Sequence, residues 1–162
     1  MTRQVLTPQR SGDLAPPAVR AWARLLRAHA ATTRLLSAEL QAEHGLTLND
    51  YEALYVLSRA EGARMKRIDL ARRLLLTPSG VTRLLEGLEA AGLVAKAVCA
   101  SDLRVTYAAL TDAGREKLET ASCGHVGSVQ TLFEEHLSDA ESETLAALLE
   151  KLPGAGDACS PD

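Results

Sequence analysis

Aromatic residues are scarce in this sequence: they make up 3% of its 162 residues, although hydrophobic residues as a whole make up 46%. A core with so few rings has to be built from Leu, Ala and Val, which favours packed helices over a β-sandwich. Long apolar runs are absent too, since no stretch approaches the roughly 18 residues that a membrane-spanning helix requires. The first residues, Met1–Val5, lack the apolar segment of a secretory signal. We therefore expect a helical, cytoplasmic protein with no membrane contact.

Metal-ligand and catalytic motifs are also missing. The three cysteines (Cys99, Cys123 and Cys159) include no CxxC pair, and the four histidines have no HxxxH spacing, so neither a disulfide framework nor a zinc site is indicated. No Gly-rich phosphate loop or nucleophile elbow is present. We expect no cofactor, no metal and no enzymatic activity. A thiol switch at Cys99 or Cys123 is an alternative, and Cys99 is favoured because we expect it to be exposed and Cys123 to be packed.

Charge is distributed unevenly along the chain, although the net charge is only −3. From Arg59 to Arg104 there are nine Lys and Arg against five Asp and Glu, which gives +4. The rest of the chain has nine basic and sixteen acidic residues, which gives −7. A basic middle between acidic ends is typical of a DNA-binding core attached to helices that do not touch DNA.

The three- and four-residue spacing of apolar side chains predicts six helices. Capping patterns at Thr47 and Ser138 mark the starts of the second and sixth helices. Gly124 and Gly127 are expected to weaken the fifth helix. The predicted helices cover about residues 17–43, 48–60, 68–74, 78–90, 112–137 and 139–152.

The fourth helix and the segment before it form the most informative pattern. Thr77 is a favourable N-cap, and Pro78 occupies the first helical position, where its missing N–H costs nothing. Only residues 75–77 separate this helix from the short third helix, and so tight a link is typical of a helix-turn-helix. At 100° per residue its apolar and polar side chains fall on opposite faces. The apolar face contains Val81, Leu84, Leu85 and Leu88, and the polar face contains Ser79, Thr82, Arg83 and Glu86.

A predicted hairpin follows, with strands at residues 93–98 and 104–110, and a short strand is expected earlier at residues 64–66. A helix-turn-helix followed by a hairpin is a winged helix. Asp102 and Arg104 project from the same face of the strand, so Arg104 is suited to the narrow minor groove and Asp102 to orienting its guanidinium. The alternative is a turn-forming Asp beside a solvent-exposed Arg.

A helix that enters the major groove of DNA would explain the polar face of the fourth helix. Its hydroxyls and its Arg can reach base edges, and free N–H groups around Gly80 can hold a phosphate. The alternatives are an ordinary helix with a solvated face, and a winged helix that binds protein instead of DNA. The expected DNA-contacting residues are Thr77, Ser79, Gly80, Thr82, Arg83, Lys96, Asp102, Arg104, Arg72 and Arg73.

Five motifs resemble, in order and spacing, the MarR family of bacterial winged-helix regulators. They are Leu70–Leu74 (LARRL), Thr77–Leu85 (TPSGVTRLL), Leu88–Val94 (LEAAGLV), Asp102–Arg104 (DLR) and Leu110–Gly114 (LTDAG), within a resemblance from about Pro17 to Leu152. The resemblance implies a homodimer held by the first, fifth and sixth helices, with two winged domains on a pseudo-palindromic operator of double-stranded DNA. It implies a repressor that a small lipophilic or phenolic effector releases. It also implies that Arg104 is the wing arginine and that Ser79, Thr82 and Arg83 face the groove.

The sequence departs from this family's pattern at two points. Lys66–Arg67 stands where the third helix usually has a Ser or Thr cap, and the N-terminal helical region has no Cys of the kind that oxidation-sensing relatives use. For the effector site we expect aromatic side chains of the first two helices, with an ordinary core role as the alternative. These residues are Trp22, His29, Tyr51 and Tyr55.

Together these patterns predict a mainly α fold of the α+β type. It is a winged helix-turn-helix with a two-stranded wing and with N- and C-terminal dimerisation helices, and its predicted function is sequence-specific regulation of transcription. The predicted divisions are a flexible tail at residues 1–13, a helical dimerisation region at 14–46 and 111–152, the DNA-binding winged helix at 47–110, and a disordered tail at 153–162.

Overall fold

The computed structural model describes residues 16–98 and 106–154, and within these ranges it is mainly helical, as predicted. The described chain divides between Leu35 and Leu36 into two compact units. The first unit contains the N-terminal part of α1, and the second contains the remaining elements. The helices are α1 (Pro17–His44), α2 (Leu48–Arg59), α3 (Arg67–Arg73), α4 (Pro78–Ala90), α5 (Asp112–Glu134) and α6 (Asp139–Leu149), and the strands are β1 (Arg64–Lys66), β2 (Val94–Val98) and β3 (Thr106–Leu110).

Both predicted capping boxes are confirmed. In α2 the Thr47 side chain accepts a hydrogen bond from the Asp50 N–H (3.2 Å), and the Asp50 carboxylate accepts one from the Thr47 N–H (2.8 Å). In α6 the Glu141 carboxylate accepts hydrogen bonds from the Ser138 hydroxyl and N–H, which hold the pKa of Glu141 below its usual value. Each box satisfies backbone N–H groups that have no partner inside the helix, so it fixes where the helix begins.

Helix α5 runs without a break through Gly124 and Gly127 to Glu134, so the expected weakening does not interrupt it. At Gly124 a Cβ atom would lie 3.3 Å from Glu43 Oε2 and 3.6 Å from His44 Nε2. Gly124 therefore serves the close approach of α5 to the C-terminal end of α1, and it does not end the helix.

The strands form one antiparallel sheet with the order β1–β3–β2. In the register, Ala108 of β3 lies between Lys96 of β2 and Met65 of β1. The predicted hairpin is thus present in the described parts of β2 and β3, and the predicted short strand extends it to three strands.

The core of the second unit lies between the helix-turn-helix, the sheet and α5. Its fully buried large side chains are all Leu, and its buried hydrophobic residues among those described are only Leu, Ala and Val, as the composition predicted. Burial of each such Leu contributes about 1.5–3 kcal/mol. The largest buried side chains are Leu54, Leu57, Leu70 and Leu85.

The junction between the sheet and α5 is built around Thr111. The Thr111 N–H donates to the Leu93 carbonyl (3.1 Å), and the Thr111 hydroxyl donates to the Gly92 carbonyl (2.8 Å). The same hydroxyl caps α5 by accepting from the Gly114 N–H (3.0 Å). One side chain therefore joins the first turn of α5 to the residues that follow α4.

None of the helices in the described ranges is long and apolar enough to cross a bilayer.

Candidate nucleic-acid interface

Both ends of α4 are fixed as its sequence predicts. Thr77 is the N-cap, its side chain accepts a hydrogen bond from the Gly80 N–H (3.1 Å), and Pro78 follows at the first helical position. Gly92 has a positive φ of 72° after the last turn, and the Leu93 N–H donates to the Leu88 carbonyl (2.9 Å). Only glycine takes this left-handed conformation without a steric cost, which is why the helix ends here.

The two faces of α4 separate as predicted. Val81, Leu85 and Leu88 are buried, whereas Ser79 and Arg83 are exposed and Thr82 is half-buried on the other side. The Thr82 hydroxyl donates to the Pro78 carbonyl (2.8 Å), so its methyl group and oxygen lone pairs are what it can offer to a ligand. The exposed face of α4 therefore presents hydroxyls and one guanidinium near the N-terminal end of the helix.

One detail of the expected phosphate site is wrong. The N–H of Gly80 is not free, because it donates to the Thr77 side chain and completes the N-cap. Thr77 Oγ1 also lies 3.2 Å from Ser79 Oγ, within hydrogen-bond distance. Thr77 thus shapes the first turn of α4 and orients Ser79. Contacts of Thr77 and Gly80 with DNA stay predictions.

Replacing Thr77 with Ala is expected to lower the free energy of unfolding by about 1 kcal/mol, because the Gly80 N–H loses its partner. Chemical denaturation at a fixed protein concentration measures this difference. Thr77→Ser is the matched control and should retain most of the stability. Equal losses in the two variants would mean that the hydroxyl cap does not hold the helix start.

The helix before the turn, α3, begins without a side-chain cap, since Lys66 at its N-cap makes no such hydrogen bond. Its last turn carries the exposed Arg72 and Arg73. Arg72 Nη1 lies 3.4 Å from Asp69 Oδ1, an exposed pair of the kind that adds little to stability. Both guanidiniums are accessible from solvent next to the N-terminus of α4.

The predicted wing residues are only partly covered by the structure. Lys96 is exposed on β2. Asp102, Arg104 and Cys99 lie outside the described residues, so their roles stay predictions.

Cys123 is exposed, which contradicts the expectation that it is packed. It lies outside the i, i+4, i+7 row of Gly114, Leu118 and Ala121 that α5 buries.

Two of the four residues expected at an effector site lie together. The rings of Tyr51 and Tyr55 stack with their centroids 6.5 Å apart. Tyr51 also contacts α5, because its ring centroid is 4.5 Å from that of His125 and its hydroxyl is 3.1 Å from Ser122 Oγ. Sequence reasoning missed Ser122 and His125, and their spacing of three on one helix was the only available signal.

The other two expected effector residues belong to the first unit. Trp22 is 59% exposed and His29 is also exposed. Neither is buried in its own unit, so the alternative of an ordinary core role does not hold for them. Their role in binding an effector stays a prediction.

Burial lowers the pKa of His125 below its ordinary value of 6.5, and the nearby Glu39 carboxylate opposes this change. The unfolded chain therefore binds a proton at His125 more readily than the folded chain. The resulting contribution to stability is present above pH 6.5 and is lost as the pH falls through the folded-state pKa.

We expect the free energy of unfolding to depend less steeply on pH in His125→Gln than in the wild type, across the range from just above pH 6.5 downwards. Denaturant titrations of both proteins at a series of pH values measure this. Parallel curves for the two proteins would contradict the prediction.

Two short helices joined by a tight turn, with an exposed polar face on the second helix and an antiparallel sheet, define a winged helix-turn-helix protein. A family model described as the MarR family matches residues 44–104, which include the helix-turn-helix and strand β2. The chain has 34% sequence identity to AbsC, a MarR family transcriptional regulator from Streptomyces coelicolor, with a TM-score of 0.75 over 85% of this chain and 92% of that one. This chain belongs to the MarR family.

Two further relatives are similar over shorter stretches. The chain is 30% identical over 108 residues to the HTH-type transcriptional repressor YetL of Bacillus subtilis (strain 168), which is 67% of this chain and 64% of YetL, so the match spans less than two thirds of YetL. The chain of the S. aureus MepR–DNA complex is 25% identical with a TM-score of 0.70, and the match covers 80% of this chain and 94% of that one.

Proposed function

We propose that this protein is a transcriptional regulator that binds specific sequences of double-stranded DNA. The observation that carries this proposal is the exposed polar face of α4, where Ser79, Thr82 and Arg83 lie opposite a buried apolar face. The N-terminal half of such a helix fits the major groove, where hydroxyls and Arg can read base edges. Exposed Arg72 and Arg73 on the neighbouring helix supply positive charge for phosphates.

The protein acts as a homodimer in this proposal, because one short helix and one wing make few contacts with DNA. Helix α6 has no buried residue, although Leu148 on it is a large apolar side chain. Clusters of exposed apolar side chains mark interaction surfaces. A second copy would cover them and place a second α4 in the next major groove of a pseudo-palindromic operator. The exposed large apolar residues of α1, α5, α6 and the segment after α6 are Val19, Trp22, Leu26 and Leu35 in the first unit and Val126, Phe133, Leu148 and Leu152 in the second.

We further propose that the regulator represses transcription from the cytoplasm and that a small lipophilic or phenolic effector releases it from DNA. The repressor role rests on the similarity to YetL, whose name states that role. For the effector, aromatic rings at Tyr51 and Tyr55 offer apolar surface, and the Tyr51 hydroxyl offers a hydrogen bond. Trp22 and His29 are retained as candidate effector residues.

A competition gel-shift experiment tests the DNA-binding function. The probe is a duplex that contains the gene's own promoter region, and the competitor is sonicated genomic DNA at physiological salt. We expect specific binding at least about 10³-fold tighter than nonspecific binding. Failure to outcompete nonspecific DNA would reject the proposal and favour a winged helix that binds protein.

Sedimentation equilibrium tests the dimer on the same preparation. The chain has a mass of 17.3 kDa, and we expect a species of twice this mass at micromolar concentration. A monomer at that concentration would contradict the proposed homodimer.

A further inference from the structure

The turn between α3 and α4 contains an apolar side chain in an unusual position. Leu75 has a positive φ of 53°, and it is 84% exposed. Its N–H donates to the Arg72 carbonyl (3.2 Å), so its backbone takes part in ending α3. The left-handed conformation crowds the Cβ atom of an L-residue, and glycine or asparagine takes it at lower cost.

Folding does not account for leucine at this position. Two preferences are violated together, because the backbone conformation is strained and the side chain buries little apolar surface in this chain. Strain of this kind concentrates at functional sites, where the rest of the structure maintains it. Contact with a partner outside the described chain would account for a leucine at this position.

The residues around Leu75 identify the kind of partner. The exposed Arg72 and Arg73 come immediately before this turn, and the exposed Thr77 and Ser79 come shortly after it. Four residues of chain place the Leu75 Cα within about 14 Å of the Ser79 Cα. The guanidiniums would bind an anionic surface, and a leucine between them and the hydroxyls would pack on methyl groups of the same surface. Duplex DNA has this combination, since thymine exposes its C5-methyl group in the major groove.

We propose that Leu75 determines sequence specificity by packing on the C5-methyl group of a thymine at the edge of the site that α4 reads. This inference rests on the DNA-binding function proposed above. Leu75 is then a contact in addition to the polar residues of α4, and it selects thymine by apolar contact where a hydroxyl or a guanidinium would select by hydrogen bonding. The exposed Ile68 stands at the start of α3, at the opposite end of that helix from Leu75, and should not share the role.

Selection from a random duplex library tests the proposal with the full-length wild type, Leu75→Gly, Leu75→Asn and the control Ile68→Ala in parallel. Glycine and asparagine both tolerate the left-handed turn, so each variant should melt at or above the wild-type temperature. We expect one thymine in each half-site to be enriched by the wild type and by Ile68→Ala, and by neither Leu75 variant. Preferences at the other positions should persist in all four proteins.

Deoxyuridine then isolates the methyl group, because it differs from thymidine only by lacking it. In the duplex selected by the wild type, deoxyuridine at that position should weaken wild-type binding about three- to fivefold and leave Leu75→Gly binding unchanged. Identical preferences and identical responses to deoxyuridine in the wild type and Leu75→Gly would overturn the role of Leu75 while leaving DNA binding intact. A wild type that enriches no sequence would overturn both this role and the proposed function.

Discussion

Replacing Gly114 with Ala is expected to destabilise the protein by about 3 kcal/mol, the upper end of what an added methyl group usually costs in a packed site. The new Cβ would overlap the carbonyl oxygen of Leu93 and would lie 2.8 Å from Leu110 Cδ1. The overlapping oxygen belongs to the backbone and already accepts a hydrogen bond from the Thr111 N–H. Because neither the oxygen nor the start of α5 can move without losing that hydrogen bond, the clash cannot be relieved by a side-chain rotation.

Gly127 provides a matched control for this experiment. It lies in the same helix, and a Cβ atom there would meet nothing within 4 Å. Gly127→Ala should therefore stabilise the protein by about 0.5–1 kcal/mol through the better helix propensity of alanine. Urea denaturation of both variants at one protein concentration gives the two free energies of unfolding. A loss at Gly127 as large as that at Gly114 would show that alanine is disfavoured throughout α5, and the close contact with Leu93 would not be its cause.

Replacing Arg83 with Ala is expected to reduce discrimination between the preferred DNA sequence and a sequence changed at one base pair by about 1–3 kcal/mol, or about 5- to 150-fold. The exposed guanidinium lies on the polar face of α4, where it can make two hydrogen bonds to a base edge. Alanine favours helices, so the fold should be unaffected. Competition binding with the preferred duplex and with single-substitution duplexes measures the effect.

Arg73→Ala is the control that separates base reading from general attraction to phosphate. Arg73 is exposed at the end of α3 and has no place on the polar face of α4. Its loss should weaken binding to all sequences alike and reduce the slope of log K against log salt concentration by about 1. If Arg83→Ala behaved in the same way, Arg83 would be a phosphate contact and the reading of bases would rest on Ser79 and Thr82.

Features that depend on neighbouring residues could be predicted from the sequence. The N-cap at Thr77, the capping box at Thr47 and the two faces of α4 all follow from side chains within about four residues of one another. These local rules were sufficient to predict the winged helix-turn-helix and the face of α4 that is exposed.

Features that depend on contacts between distant parts of the chain could not be predicted. The position of Gly124 beside the end of α1 is one of them, because Glu43 and His44 are about 80 residues away in the sequence. The hydrogen bond between Tyr51 and Ser122 joins residues 71 positions apart, which no local pattern indicates. The conformation of Leu75 cannot be predicted for another reason, because leucine is not a residue that indicates a positive φ.

The Thr111 junction has a mechanical consequence for regulation. Its hydroxyl and N–H bind the carbonyls of Gly92 and Leu93 directly after α4, and the same hydroxyl holds the first turn of α5. Further along α5, Ser122 lies within hydrogen-bond distance of the Tyr51 hydroxyl of α2, and His125 packs against the Tyr51 ring. The contacts at Thr111 and at Ser122 lie about three turns apart on α5, and they hold the first half of this helix against the DNA-binding domain. In the proposed regulator, a movement of the second half of α5 would therefore reach α4 through these contacts and change its position relative to the groove.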